Sequence, residues 1–439
     1  MSTSLLQRDH AHIWHPTSQM KDYETFPPLC IKYAEGPYLF TEDNHRVIDA
    51  ISSWWCKSLG HQHPRLQKAV EEQMKKFEHV IFANTTYEKA VLLSEALAGL
   101  TGSLNKVFYA CDGSSSVEIA LKMSLQAQQL KGNHSRTEFM ALQHDYHGET
   151  CATLSLSDVG HFRKYFEPLL NPVTFIKHVP YVSGRKDARW NDCSSIWPLV
   201  ESQLNAKVET LCAIIVEPIL QGASGMLIYS PDFLKRLRQW TEKNHVYLIA
   251  DEIMTGFGRT GLPLACQHAD IEPDFLCLAK NLTAGFLPLS ATLTREDIYC
   301  LFYDDYAAGK AFWHAHTHTG NALAIAVALE ALKIYEKEKI YQRAQEMEVI
   351  LLTFMEEIAQ TTGKLKNVRG LGAVVAADLV VENPTERAGY AVYQKAVELG
   401  ALLRPIGNTL YWLPPLNCEL NVLMELKDIT LRAIQAVLR

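Results

Sequence analysis

Between residues 106 and 294, short apolar runs alternate with stretches whose apolar positions recur three and four residues apart. The first pattern predicts strands and the second predicts helices. Strands are predicted at Lys106–Ala110, Glu138–Leu142, Cys212–Val216, Val246–Ala250, Phe275–Ala279 and Leu289–Leu293. One helix follows Asp112-Gly-Ser-Ser-Ser116, where Val117, Ala120, Leu121 and Leu125 share a face, and another spans Pro231–Lys243. Such alternation predicts a parallel α/β domain. After about residue 320 the pattern changes. Helices Ala322–Glu336 and Ile340–Gln360 lead into strands near Gly372–Val380 and Thr409–Leu413, with a helix at Glu386–Leu399 between them and Leu423–Leu438 closing the chain. This is an α+β pattern, so a large domain over 61–321 and a small one over 322–439 are expected. Residues 1–60, rich in proline and aromatic side chains, fit neither pattern and are expected to pack with the C-terminal part.

The composition narrows the class. Of 439 residues, 48 % are hydrophobic and 21 % charged, which suits a globular chain with a sizeable core. A net charge of -7 without any basic block argues against nucleic acid or an anionic membrane as partner. The apolar runs are far too short to span a bilayer, and the first ten residues hold no signal-like apolar stretch. The ten cysteines are scattered without a Cys-x-x-Cys pair, which reads as free thiols in a reducing cytoplasm.

Three places could carry chemistry. Asp251-Glu252 ends the apolar run Tyr247–Ala250, and ligands of α/β sheets bind outside the carboxyl ends of strands. Alone, Asp251 would equally suit a turn or a helix cap. The glycine-rich stretch Thr255–Gly261 indicates a loop and is not the G-x-G-x-x-G of a dinucleotide site. Lys280 also ends an apolar run, and burial there would lower its pKa as a Schiff-base lysine requires. Alone, it would equally suit an exposed strand end. Gly113-Ser114 opens a helix whose free N–H groups and dipole suit a phosphate, although a serine cap is common. Together the three match one ligand. Pyridoxal phosphate has an aldehyde for the lysine, a ring nitrogen that needs a carboxylate, and a phosphate for the helix start.

At these residues the sequence resembles the class III aminotransferases, of the aspartate-aminotransferase fold type. The matching pieces are Val216-Glu-Pro218 with Gln221-Gly222, Asp251-Glu-Ile-Met-Thr-Gly-Phe-Gly-Arg-Thr-Gly261, Lys280 in its setting, and His318-Thr-Gly-Asn321. Further pieces are His12-Ile-Trp-His-Pro16, Ser52-Ser-Trp-Trp55 with Gly60, Tyr146-His-Gly148, and Arg404-Pro405 with Leu413-Pro-Pro415. They resemble the branch that aminates 8-amino-7-oxononanoate to 7,8-diaminononanoate in biotin synthesis. The resemblance runs over essentially the whole chain.

It implies a fold type I transferase, with a mostly parallel seven-stranded sheet between helices and a smaller α+β domain, working as a cytoplasmic homodimer with pyridoxal 5'-phosphate. Lys280 would carry the cofactor as a Schiff base and shuttle the proton, and Asp251 would pair with the ring nitrogen. Tyr146 would stack on the ring. Gly113 and Ser114 would hold the phosphate, joined by Thr317 from the partner subunit. Trp54 and Tyr146 would line the substrate pocket with Lys280, and Arg404 would bind the substrate carboxylate. Thr17 and Ile406 stand where the family has aromatics, and Ala315-His316 where Gly-Pro is common. These departures leave the amino donor open between adenosylmethionine and lysine. His314, His316 and His318 alternate as metal ligands would. The family places that segment at the phosphate and the subunit interface, so no metal is expected. Rival readings are a class III enzyme for an ω-amino acid or diamine, a non-catalytic scaffold, and a nucleotide-binding oxidoreductase.

Overall fold

The computed structural model describes residues 4–383 and 385–438. A seven-stranded sheet forms its centre, from β1 (Lys106–Ala110), β2 (Glu138–Leu142), β3 (Thr174–Ile176), β4 (Leu211–Val216), β5 (Tyr247–Asp251), β6 (Phe275–Leu278) and β7 (Ser290–Thr294). The strand order is β1-β7-β6-β5-β4-β2-β3. From β6 to β3 every pairing is parallel, while β7 runs antiparallel to both neighbours. All of β4, β5, β6 and β7 is buried, which is why β4, β5 and β6 read as continuous apolar runs, whereas β7 alternates and buries the hydroxyls of Ser290, Thr292 and Thr294 as well.

Helix α1 (Gly113–Leu130) packs across β4, β6 and β7. Helix α2 (Pro231–Lys243) begins with proline at its first position, where no N–H is needed, and buries Phe233, Leu234, Leu237 and Trp240 against the sheet. In register, Ala250 faces Val216 on one side and Leu276 on the other. The carboxyl ends of β4, β5 and β6 therefore lie side by side, and the residues that follow them meet.

The strands Ile31–Glu35, Tyr38–Thr41 and Arg46–Asp49 form an antiparallel ribbon, and Ala401–Leu402 adds to it in parallel. The N-terminal segment thus shares a sheet with the C-terminal part. Helix α3 (Ala388–Leu399) leads into that added strand. A third sheet is antiparallel, from Leu365–Leu371, Val374–Leu379 and Thr409–Trp412. The sequence reading of one strand over Gly372–Val380 is corrected here: Gly372, with φ +57, turns a hairpin whose first arm was unread. Lys366, Asn367 and Arg369 in that arm surround a register shift, which erases the alternation. All ten cysteines are free. Among the described residues no helix is long and apolar enough to cross a membrane, and no His/Cys/Asp/Glu group is arranged to hold a metal ion.

Candidate active site

Five acids and bases gather where the parallel strands end. Glu217 follows β4, Asp251 ends β5, and Lys280 follows β6. Asp145 and His147 lie in the loop after β2. Glu217, Asp251 and Lys280 line one cavity of about 370 Å³, together with Gly113, Ser114 and Tyr146. Lys280 sits in the left-handed region at φ +45, a strained setting of the kind that clusters at functional sites. Burial pulls its ammonium below the ordinary value, and the Asp251 and Glu217 carboxylates oppose that pull. Its Nζ lies 5.3 Å from the centre of the Trp55 ring.

Asp251 is held from behind. Its Oδ2 lies 2.8 Å from His147 Nδ1, and its Oδ1 accepts the Ile253 amide at 3.1 Å. On the other edge of the imidazole, Nε2 lies 3.4 Å from Asp145 Oδ2. Asp145 in turn accepts from the Leu142 amide at 3.0 Å and from Gln221 Nε2 at 2.6 Å. Glu217 accepts the Tyr146 amide at 2.8 Å and the Gly222 amide at 2.9 Å. Burial penalises a charged imidazole, but the two flanking aspartates overrule it and hold the His147 pKa at about 10. Burial raises Asp145, and it pushes Glu217 up to about 8. A carboxylate oxygen accepts two hydrogen bonds. Asp251 therefore keeps acceptor capacity toward the cavity.

This cluster makes stability depend on pH. His147 keeps its proton to about 10, whereas an unfolded imidazole releases it near 6.5. The stabilisation is fully present below 6.5 and is lost as pH rises through 10. Glu217 acts in the same direction, since the folded carboxyl keeps to about 8 a proton that the unfolded one releases near 4.5. Thermal melts of the apoprotein should therefore give a Tm that falls from pH 6.5 to pH 10. A flat profile would exclude a charged His147.

One end of the cavity is the start of α1. Asp112 caps the helix by accepting the Ser115 amide at 2.9 Å. The Gly113 and Ser114 amides, in the first turn, have no intrahelical acceptor. A Cβ on Gly113 would sit 2.9 Å from Ile253 Cδ1, and one on Gly148, at φ +124, would sit 2.1 Å from Ser114 Oγ. Backbone approach at this corner therefore depends on both glycines. Tyr146 reaches the same cavity and donates its hydroxyl to Glu149 Oε1 at 3.0 Å.

The remaining expected residues lie apart from that cavity. Trp54 does not line it, whereas its neighbour Trp55 does. Non-helical backbone at Ser53 and Trp54 splays the two rings, leaving Trp55 7 % and Trp54 45 % exposed. The Trp55 indole N–H donates to the Tyr411 hydroxyl at 3.0 Å. The Arg404 guanidinium lies 4.6 Å over the Trp54 ring and has no carboxylate partner among the described residues. It lines a second cavity, of about 550 Å³. Thr317 is exposed, and its carbonyl lies 2.9 Å from His79 Nε2. Of the alternating histidines, His314 and His316 place their Nε2 atoms 3.2 Å apart, and Lys122 Nζ lies 2.9 Å from His314 Nδ1.

Chemically, the cavity offers a desolvated amine, a carboxylate fixed by an imidazole, and free amides at a helix start. His147, Asp145 and Glu217 carried no role in the sequence reading. The rule that singled out Asp251 and Lys280, an acid or base just past a parallel strand, also applies to Glu217.

A family model for the class III aminotransferases matches residues 19–436. The chain is 38 % identical over 416 residues to the adenosylmethionine-8-amino-7-oxononanoate aminotransferase of Helicobacter pylori, spanning 94 % of this chain and 93 % of that one. The crystal structure of the adenosylmethionine-8-amino-7-oxononanoate aminotransferase from Methanocaldococcus jannaschii matches with a TM-score of 0.91 at 32 % identity, over 99 % of both chains. An amine transaminase from an uncultivated Pseudomonas species, solved in its PLP-bound form, matches with a TM-score of 0.89 at 28 % identity, over 97 % of this chain and 99 % of that one.

Proposed function

Because the chain belongs to the class III aminotransferases, we propose that it transfers an amino group to 8-amino-7-oxononanoate in biotin synthesis, with adenosylmethionine as donor and pyridoxal 5'-phosphate as cofactor. One observation carries this reading: Lys280, Asp251 and the first turn of α1 open onto a single cavity. The residues present fit the cofactor. Its phosphate suits the Gly113 and Ser114 amides, where added Cβ atoms at Gly113 and Gly148 would close the approach. Its ring nitrogen suits Asp251, and its aldehyde suits an amine whose charged form burial disfavours. When bound, the cofactor supplies an electron sink for a carbon next to nitrogen.

The chain's own residues do the rest. Lys280 takes the proton from the amine-bearing carbon of the donor and returns it on the acceptor side, a role for an amine of lowered pKa. Asp251 would hold a proton on the ring nitrogen, and His147 fixes the orientation of that carboxylate. Tyr146 covers the ring, while Trp54 and Trp55 bound the substrate side. Arg404 binds the acceptor's carboxylate. Its planar fork suits a carboxylate, and it has no carboxylate partner among the described residues. Thr317 acts at the phosphate of the partner subunit in a cytoplasmic homodimer. Its exposure supports this, as do Trp313, Tyr306 and Tyr303 earlier in the same stretch of chain, which are 75 %, 89 % and 75 % exposed. The names of the Helicobacter and Methanocaldococcus relatives support the substrate pair.

The deciding experiment gives the purified holoenzyme 8-amino-7-oxononanoate with adenosylmethionine or lysine in turn. Diaminononanoate should form with adenosylmethionine. Formation with lysine alone would overturn the donor, and formation with neither would overturn the acceptor.

A further inference from the structure

We propose that Asp22 and Arg387 are positioning residues that fix where Arg404 meets the substrate carboxylate. This rests on the reading of Arg404 given above.

Arg404 is held on two sides. Trp54 supports one face of its guanidinium at 4.6 Å, and the Thr17 carbonyl accepts from Nη2 at 3.2 Å. Both partners of that hydrogen bond are in the left-handed region, Thr17 at φ +50 and Arg404 at φ +38. Two side-chain-bearing residues keep such a backbone only where their surroundings hold it there. The residue after Thr17 is tied to a short 3-10 turn, Met20–Glu24, whose Tyr23 hydroxyl donates to Ser18 Oγ at 2.8 Å and whose Asp22 amide bonds the Gln19 carbonyl at 2.9 Å.

That turn is anchored to the small domain by its side chains. The Asp22 carboxylate takes both ends of the Arg387 guanidinium, Nη1 to Oδ1 at 3.0 Å and Nη2 to Oδ2 at 2.7 Å. Arg387 is the residue before α3 and lies 4.2 Å over the Tyr390 ring. Phe26 packs edge-on against Tyr390 and Tyr393 at 6.1 and 5.4 Å. Thr17, Asp22, Arg387 and Arg404 all stand in the wall of the same cavity of about 550 Å³. The contacts therefore form a chain: α3 fixes Arg387, Arg387 fixes Asp22, the turn fixes Thr17, and Thr17 aims the Arg404 fork. A bidentate pair fixes angle as well as distance, which a single contact does not. An exposed pair contributes little to stability. Its measurable effect should therefore be on binding geometry.

The test is steady-state kinetics of the holoenzyme with the keto acid varied. Arg387→Ala and Asp22→Asn should each raise its KM about 3- to 5-fold, the upper end for one partly exposed pair, with kcat within about twofold. Combining Asp22→Arg with Arg387→Asp should bring KM back to within about twofold of the wild type. Unchanged KM in both single variants overturns the proposal, as does a loss confined to kcat or a charge exchange that recovers nothing. Arg404→Ala separates the two layers. If it leaves KM unchanged, the reading of Arg404 itself fails. If it raises KM strongly while the Asp22 and Arg387 variants do not, only the positioning role fails.

Discussion

Replacing Lys280 with alanine should remove the visible absorbance of the lysine-bound cofactor and lower kcat by at least about 10³-fold, since loss of a general base alone costs 10²–10⁴. The fold should survive. Among the described residues Lys280 Nζ makes neither a hydrogen bond nor an ion pair, so no partner is orphaned when it goes. The wild-type amine is instead a desolvated group whose charge the interior disfavours. The apoprotein of Lys280→Ala should therefore melt at the same temperature as wild type or above it. This is a stability–function conflict of the kind expected at an active site. The two measurements divide the outcomes. Lost turnover with an intact melt assigns chemistry to Lys280. Lost turnover with a collapsed melt would assign it to the fold, and retained turnover would remove Lys280 from the mechanism. Lys280→Arg should behave like the alanine variant in turnover, because a guanidinium stays charged and cannot serve as nucleophile or base.

Much of this was legible in the sequence because local physics settles it. Buried strands in a parallel sheet must be apolar on both faces, so β4, β5 and β6 stand out as runs. The residues at their ends then become candidates by topology alone. What stayed hidden depends on strand order and backbone detail. Glu217 and Asp251 become neighbours because β4 pairs with β5, and Asp145 and His147 join them because β2 pairs with β4. Periodicity carries no information on which strands pair. The adjacent Trp54 and Trp55 are equivalent on paper, and unusual angles at Ser53 and Trp54 send one ring toward Lys280 and the other under Arg404. Asp22 and Arg387 are 365 residues apart and carry no motif.

The hidden residues change what Asp251 is expected to do. In isolation it is an acid that could pair with a ring nitrogen. In the structure it shares His147 with Asp145, and one of its oxygens is committed to that imidazole. Two aspartates flank one imidazole, an excess of acidic groups over basic ones beside the cavity. A protonated ring nitrogen would relieve that excess, so cofactor and cluster should stabilise each other.

Asp251→Asn tests this coupling with almost no change in shape. The amide keeps an oxygen that can accept from His147 and gives up only the bond from the Ile253 amide, so the fold and the cofactor's attachment to Lys280 should persist. The charge is lost, and with it the force that keeps a proton on the ring nitrogen. We expect kcat to fall about 10²- to 10⁴-fold, the range of a positioned acid–base group, with the cofactor still bound by Lys280 and α1. A second effect follows from the imidazole. His147 is held at about 10 by two carboxylates against burial. With one charge gone, its pKa must drop, and the fall in apoprotein Tm with rising pH should begin at lower pH than in the wild type. A variant that loses turnover but keeps the wild-type melting profile would show that Asp251 acts on the cofactor without sharing His147's proton. A variant within tenfold of wild-type kcat would remove Asp251 from the chemistry altogether. Loss of turnover together with an acid-shifted melting profile is the one outcome that ties the buried cluster to the reaction, because it needs the same carboxylate to serve the imidazole on one side and the ring nitrogen on the other.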